Sequence, residues 1–240
     1  MAPVSLHPTE PDVKYPTSDG RPMAETDDHR DLMIDLIETV KDYRADDPLY
    51  YVSGNLLVFY EKGNRRRHLS PDFFVVRGVP NHNRDNYLIW AESKGPEVVI
   101  ELTSISTRDE DVKDKMRLYR DVMKVYEYFL FDPHNEYLVP PLQGYRLTDG
   151  QYLPIEPVAG RLPSEVLELH LERNGKEVRL YNPATDQWVP TRQEVARQAE
   201  ADRHKEAAAR QHAEAARQRA EAEVEQLRHE LEALRKHTAD

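Results

Sequence analysis

The sequence predicts a mixed α/β domain, a central sheet flanked by helices, with a long helix after it. Three observations carry this. The stretch from Pro96 to Asp132 reads as strand, short polar loop, helix, strand, and both strands are almost continuously apolar, as in a sheet covered on both faces. Two further apolar runs, Leu49–Tyr60 and Pro71–Val76, precede it around a polar turn and read as a hairpin. From Thr191 onward glycine and proline vanish and Ala, Glu, Arg and Gln dominate, which is the composition of a long helix. The organisation expected is an N-terminal arm over residues 1–22, a domain over 23–190 and a helix over 191–240.

Taken in order, residues 1–22 hold several prolines and few apolar side chains, so a flexible or loosely docked arm is expected. Met33, Leu36, Ile37 and Val40 then recur at three and four, the period of an amphipathic helix. Thr26 with Asp27 and Asp28 suits its N-terminal end, because carboxylates favour the positive end of the helix dipole, and Asp47-Pro48 suits its end. Leu49–Tyr60 is broken at Ser53-Gly54-Asn55, giving one kinked strand or two short ones. Residues 77–95 read as a polar loop with one apolar island, Tyr87–Trp90.

In the strand Glu97–Thr103, alternation places Val98, Ile100 and Leu102 on one face and Glu97, Val99, Glu101 and Thr103 on the other. The helix Arg108–Met123 follows, with Val112, Met116, Tyr119 and Met123 in one stripe, and then the strand Tyr126–Asp132. Short strands are expected around Gly144–Leu147, around Gly150–Tyr152 and at Glu177–Tyr181. In the tail, a heptad with Val224 and Leu231 at a and Ala220, Leu227 and Leu234 at d fits residues 220–236. Run backward it puts Arg203, Arg210 and Arg217 at a, so the earlier part reads as a solvated helix.

Composition sets bounds on function. With no cysteine there is neither a disulfide framework nor a thiolate metal site. The N-terminus lacks the basic start and apolar core of a secretory signal, and no apolar run approaches the roughly 20 residues of a membrane span. A cytoplasmic protein without membrane contact is expected. The net charge of -11 opposes a general electrostatic grip on nucleic acid. Residues 191–240 hold 10 Lys and Arg against 11 Asp and Glu, leaving 23 against 33 for residues 1–190, so any DNA contact must be local.

A carboxylate inside a covered strand is costly without a cation or hydrogen bonds, which singles out Glu101, and Asp72 at the head of its own strand poses the same question. Two readings are open. Either Glu101 pairs with a nearby lysine and Asp72 caps a turn, or a divalent cation such as Mg²⁺ turns their mutual repulsion into binding. On the following helix Asp111, Lys115 and Tyr119 fall at i, i+4 and i+8. Lys115 either reaches the same site or forms a surface pair with Asp111. The run Arg65-Arg66-Arg67, before Asp72, is a DNA-contact candidate or a solvated turn. Histidines show no zinc-ligand spacing, and neither a phosphate-binding glycine loop nor a serine-hydrolase elbow occurs.

Several motifs in this order resemble a known family: Met23–Thr26 with His29, Ser70-Pro71-Asp72, Ile100–Ser104, Asp111…Lys115…Tyr119, Val125–Pro133 and Leu142–Leu147. Over residues 20–190 the chain resembles the Uma-type family of bacterial putative restriction endonucleases, within the PD-(D/E)XK nuclease superfamily. The resemblance implies a restriction-endonuclease-like fold, Asp72 and Glu101 as metal ligands and Lys115 as the catalytic lysine. In the superfamily's simplest pattern that lysine stands two residues after the acid, where this chain has Thr103, so Lys115 would act from the helix. Glu25 resembles an accessory acid, and His29 and Tyr119 are secondary candidates beside it.

The function expected is Mg²⁺-dependent hydrolysis of DNA phosphodiesters, with Mn²⁺ as an alternative ion. Asp72, Glu101 and the Leu102 carbonyl would hold the metal, and Lys115 would orient the attacking water. RNA as substrate stays open, as does a catalytically silent scaffold acting through the C-terminal helix. A homo-oligomer, as small as a dimer, is expected from that helix.

Overall fold

The protein is described by a computed structural model covering residues 14–18, 26–105 and 107–237, the last six of them as backbone only. Helix α1 is Asp27–Tyr43. Its cap is Thr26, whose hydroxyl accepts from the His29 N–H, while Asp27 and Asp28 occupy the first turn, as the sequence pattern requires. It stops at Tyr43, four residues before the Asp47-Pro48 boundary expected, because residues 44–47 close in hydrogen-bonded turns. Leu32, Met33, Leu36, Ile37 and Val40 form its buried stripe.

Among the described residues, thirteen strands follow the helix. The six-stranded central sheet takes β1 (Tyr50–Ser53), β4 (Phe73–Arg77), β6 (Val98–Leu102), β7 (Glu127–Phe131), β8 (Leu142–Thr148) and β9 (Gln151–Pro154), in that order across the sheet. Only β6 and β7 run parallel, joined by a helical crossover; the other neighbours are antiparallel, so the sheet is mixed. The expected hairpin exists as β1 against β4, but the segment between them is not a plain turn. It holds β2 (Val58–Phe59) and β3 (His68–Leu69), which leave the sheet and form a small one of their own, with β2 between β3 and β5 (Tyr87–Leu88). The apolar island thus supplies β5 and the short helix α2 (Ile89–Glu92). Tyr15 lies against this small sheet, its ring 4.9 Å from Phe59 and 5.2 Å from Trp90, with its hydroxyl accepting from the Gly63 N–H.

The crossover helix α3 joins a π-helical stretch Glu110–Lys115, an α-helical turn Met116–Leu118 and a second π-helical stretch Tyr119–Met123. Its apolar stripe is as expected, with Tyr119 and Met123 buried and Val112 and Met116 packed beside them. The central sheet is buried on both faces. On one, Val98, Ile100 and Leu102 meet α1 and a four-stranded antiparallel sheet of β10 (Leu162–Ser164), β11 (Leu169–Asn174), β12 (Glu177–Asn182) and β13 (Gln187–Trp188). On the other, Val99, Tyr128 and Leu130 meet α3 and the small sheet. Of the four-stranded sheet only β12 is evident in the sequence, since β10 and β13 are two or three residues long and β11 runs into charge at Glu172-Arg173.

The chain divides into two compact units, Met1–Val189 and Pro190–Asp240. The second consists of helix α4, Arg192–His237. Thr191 and Glu194 start it as a reciprocal capping box: the Thr191 N–H donates to the Glu194 carboxylate and the Glu194 N–H to the Thr191 hydroxyl. Among the described residues, no helix is long and apolar enough to cross a membrane.

Candidate active site

The register of β4 and β6 decides which side chains meet. Phe73 stands opposite Ile100, so one step further Asp72 stands opposite Glu101 on the same face of the sheet. The close approach of β1 secures this corner. A Cβ on Gly54 would lie 2.0 Å from the Asp72 carbonyl oxygen, and the Asn55 N–H donates to the Pro71 carbonyl at 2.7 Å. Only glycine lets the two backbones pass this closely. The Asp72 carboxylate accepts from the Leu102 N–H at 2.8 Å, and His29 Nε2 lies 3.3 Å from its other oxygen. The cap of α1 thus delivers His29 to Asp72.

Glu101 has no exposed surface. One carboxylate oxygen accepts from the Tyr119 hydroxyl at 2.5 Å, and the other lies 3.0 Å from Lys115 Nζ. Lys115 is also 2.8 Å from Asp111, which is buried rather than on the surface. This corrects the surface-pair reading of Asp111 and Lys115. The winding of α3 explains how the three helix residues reach one place. Four residues overshoot an α-helical turn of 3.6, so Asp111, Lys115 and Tyr119 would fan out on a regular helix. The wider π turns take up more residues each and cancel that drift.

Behind Lys115 runs a chain of hydrogen bonds absent from the sequence reading. The Thr103 hydroxyl donates to Asp111 at 2.7 Å and is in short contact with the Tyr137 hydroxyl. The Tyr128 hydroxyl donates to the Asp111 carbonyl. Tyr137 comes from the loop after β7, which the buried Asp132 organises by accepting from the N–H groups of Tyr137 and Leu138. Thr103 was recoverable from sequence, since it lies two residues from Glu101 on the same strand face. Tyr137 was not, because nothing local ties it to β6.

The electrostatics follow from this packing. Burial pushes the Glu101 carboxyl up to about 8; Lys115 pulls it back, while Asp72 and Asp111 push it further. Burial works against the charge on Lys115, yet Glu101, Asp111 and Asp72 together raise its pKa above the ordinary lysine range. Burial raises the Tyr119 hydroxyl well above its usual value, and Glu101 adds to this. With all three acids ionised, three carboxylates would face one ammonium, a formal excess of two negative charges, and the raised Glu101 pKa is the response to that excess. A divalent cation would offset that excess, and the acid oxygens are hard donors of the type Mg²⁺ takes. No group of three or more Asp, Glu, His or Cys side chains stands at metal-binding distance among the described residues. Any such ion would therefore lean on two carboxylates, a carbonyl and its own waters.

Of the other sequence candidates, Glu25 lies outside the described residues. Arg65, Arg66 and Arg67 are exposed on the turn between β2 and β3 and take no part in the hydrogen bonds of this cluster. Arg67 faces Glu61 at 3.6 Å, and the Arg66 N–H donates to the Asn64 side chain.

A crystal structure described as that of a putative nuclease belonging to DUF820, from Anabaena variabilis, is similar at 14% identity. The match covers 62% of this chain and 79% of that one, with a TM-score of 0.45. No curated protein matches the sequence. The model of the family described as Uma2, putative restriction endonuclease, matches residues 4–180. That match takes in every described residue of the buried cluster, and the chain belongs to the Uma2 family of putative restriction endonucleases.

Proposed function

We propose that this protein is an endonuclease that hydrolyses DNA phosphodiester bonds with Mg²⁺, at the cluster of Asp72, Glu101 and Lys115. The observation that carries the reading is the excess of carboxylate around a single ammonium at the ends of β4 and β6, with Glu101 and Asp111 buried and Asp72 at the edge of the cluster. Away from water, an ion cluster is least costly when its acids and bases match in number. Here Asp72 and Glu101 face each other as well, an arrangement that is costly unless a further cation joins it.

Asp72 and Glu101, with the Leu102 carbonyl, would hold the ion. When bound, Mg²⁺ supplies positive charge against the phosphate oxygens and makes a water more acidic. The residues of the chain do the rest. Tyr119 fixes one oxygen of Glu101 and so aims the other. Asp111, itself held by Thr103, keeps the Lys115 ammonium charged and pointed at Glu101. From there Lys115 can donate to the attacking water or to a phosphate oxygen on which charge develops. His29 would hold the second oxygen of Asp72 in place. The exposed Arg65–Arg67 turn is assigned to the DNA backbone, where a local basic run must act against an acidic domain.

The test is cleavage of mixed DNA and RNA substrates in Mg²⁺, Mn²⁺ and EDTA, beside calorimetric titration of Mg²⁺. Asp72→Ala, Glu101→Ala and Lys115→Ala are each expected to lose cleavage by at least about a hundredfold. The Asp72→Ala/Glu101→Ala protein should show no Mg²⁺ binding heat at this site. Equal cutting by all proteins, with or without metal, would reject the assignment.

A further inference from the structure

The α4 helix is longer than it needs to be and uneven along its length. Its 46 residues span about 69 Å at the usual rise. Between residues 196 and 223 its only aliphatic side chains are alanines. Aliphatics larger than alanine then return at Val224, Leu227 and Leu231, spaced three and four apart, and the sequence continues with Leu234. Val224, Leu227 and Leu231 are 48%, 56% and 51% exposed. Helix stability does not explain them, since alanine is the better helix former and valine among the poorer ones. Water does not explain them either, because each leaves an apolar surface wet.

We propose that residues 220–236 are a self-association surface, pairing with the same segment of a second copy of this chain as a parallel two-stranded coiled coil. The seam has Val224 and Leu231 at a and Ala220, Leu227 and Leu234 at d. A β-branched residue at a with leucine at d favours two parallel strands. The flanking charges select the same arrangement. Position g holds Glu223 and Glu230, and position e holds Glu221, Arg228 and Arg235, with Glu221 facing Ala216 in a parallel pair. In a parallel pair Glu223 reaches Arg228 of the partner subunit and Glu230 reaches Arg235 of the partner subunit, with the symmetric pairs besides. An antiparallel pair sets glutamate against glutamate at g and loses that advantage. Charge complementarity therefore points to a second copy rather than to an unrelated acidic or basic partner. Arginine at 203, 210 and 217 would stand at a in the earlier heptads, which confines the seam to the end of the helix.

The full chain should sediment at twice its 28.0 kDa mass. Leu227→Asp with Leu231→Asp should raise the dissociation constant at least about tenfold without moving the thermal unfolding of the Met1–Val189 unit. Glu223→Lys with Glu230→Lys should do the same, and so should Arg228→Glu with Arg235→Glu. An equimolar mixture of the two charge variants should recover the dimer. Orientation has a clean reporter because the chain has no cysteine. With dissolved oxygen as the oxidant, Ala220→Cys should form a disulfide-linked dimer. An antiparallel pair would hold those thiols about 16 Å or more apart, too far for a disulfide. A monomer at every concentration, a dimer unmoved by the seam variants, or failure of Ala220→Cys to cross-link would each overturn the proposal. None of these readings depends on cleavage activity.

Discussion

Two glutamates on adjoining strands are equally buried and could hardly be held more differently. Glu127 opens β7 and Glu101 nears the end of β6; because the strands are parallel they lie at opposite ends of the sheet, and they face opposite sides. Both are wholly inaccessible to solvent. Glu127 stands opposite Arg146 in the register of β7 and β8 and accepts from its guanidinium at 2.8 Å. The N–H groups of Glu165 and Val166 and the Ser164 hydroxyl complete its shell. Glu127 is thus met by three neutral donors and by a guanidinium that also reaches the exposed Glu165 at 2.9 Å, and the result is a latch that ties β10 and the turn after it to the central sheet. Glu101 has one hydroxyl and a share of one ammonium, and it faces two other acids. Burial of a carboxylate therefore says little by itself. What sets these two acids apart is how fully the donors around each one satisfy its carboxylate.

That contrast can be broken most sharply by stability. Glu127→Ala takes the acceptor from the Ser164 hydroxyl and from the Glu165 and Val166 N–H groups, and one of its partners from Arg146, and should cost about 3–5 kcal/mol, or roughly 6–20 °C in Tm. Glu101→Gln removes a charge that the fold does not balance, so Tm in EDTA at pH 8 should hold or rise. Comparable losses from both would erase the distinction.

A smaller effect should appear with pH. The ordinary glutamate value is 4.5 and that of folded Glu101 is about 8, so between these limits the native state holds a proton that the unfolded chain releases. Stability from this group is therefore present near pH 5 and is lost as pH rises toward 8. Lys115, with its pKa moved upward, stays charged in both states throughout this window. Scanning calorimetry in EDTA should show Tm falling across it, by several degrees at most, with Glu101→Gln flatter and Mg²⁺ restoring wild-type Tm at pH 8. A wild-type profile as flat as the variant's would count against the charge imbalance.

The smallest expected change is at Thr103→Val. It removes a hydroxyl from Asp111 and Tyr137 and should cost about 1–2 kcal/mol. Cleavage should fall several-fold, because Lys115 loses part of its anchor while every metal-side group remains. An unchanged rate would place Thr103 in the fold alone.

Much of this is legible in the sequence. Period-two alternation placed Glu101 on the opposite face from Ile100 and Leu102, and the three-and-four pattern found α1 and the apolar stripe of α3, because local geometry and burial act through the same residues. The second sheet was not legible. Strands as short as Leu162–Ser164 and Gln187–Trp188 carry too little pattern, and they become strands by docking against β11 and β12. Asp111 shows the same limit within the site. Its spacing from Lys115 matches both an exposed pair and a buried one, and only the packing of α3 against the sheet selects between them.

The amino-acid sequence by itself determined which segments become strands and helices in the centre of the molecule, and that Glu101 sits where an acid is costly. Repeating side-chain chemistry along one chain is enough for that. The tertiary structure decided that Asp72 comes to face Glu101, that π-helical turns line up Asp111, Lys115 and Tyr119, and that Tyr137 joins them from a distant loop. Such meetings depend on strand register and helix winding, which are settled by contacts between segments far apart in the chain and leave no periodic mark within any of them.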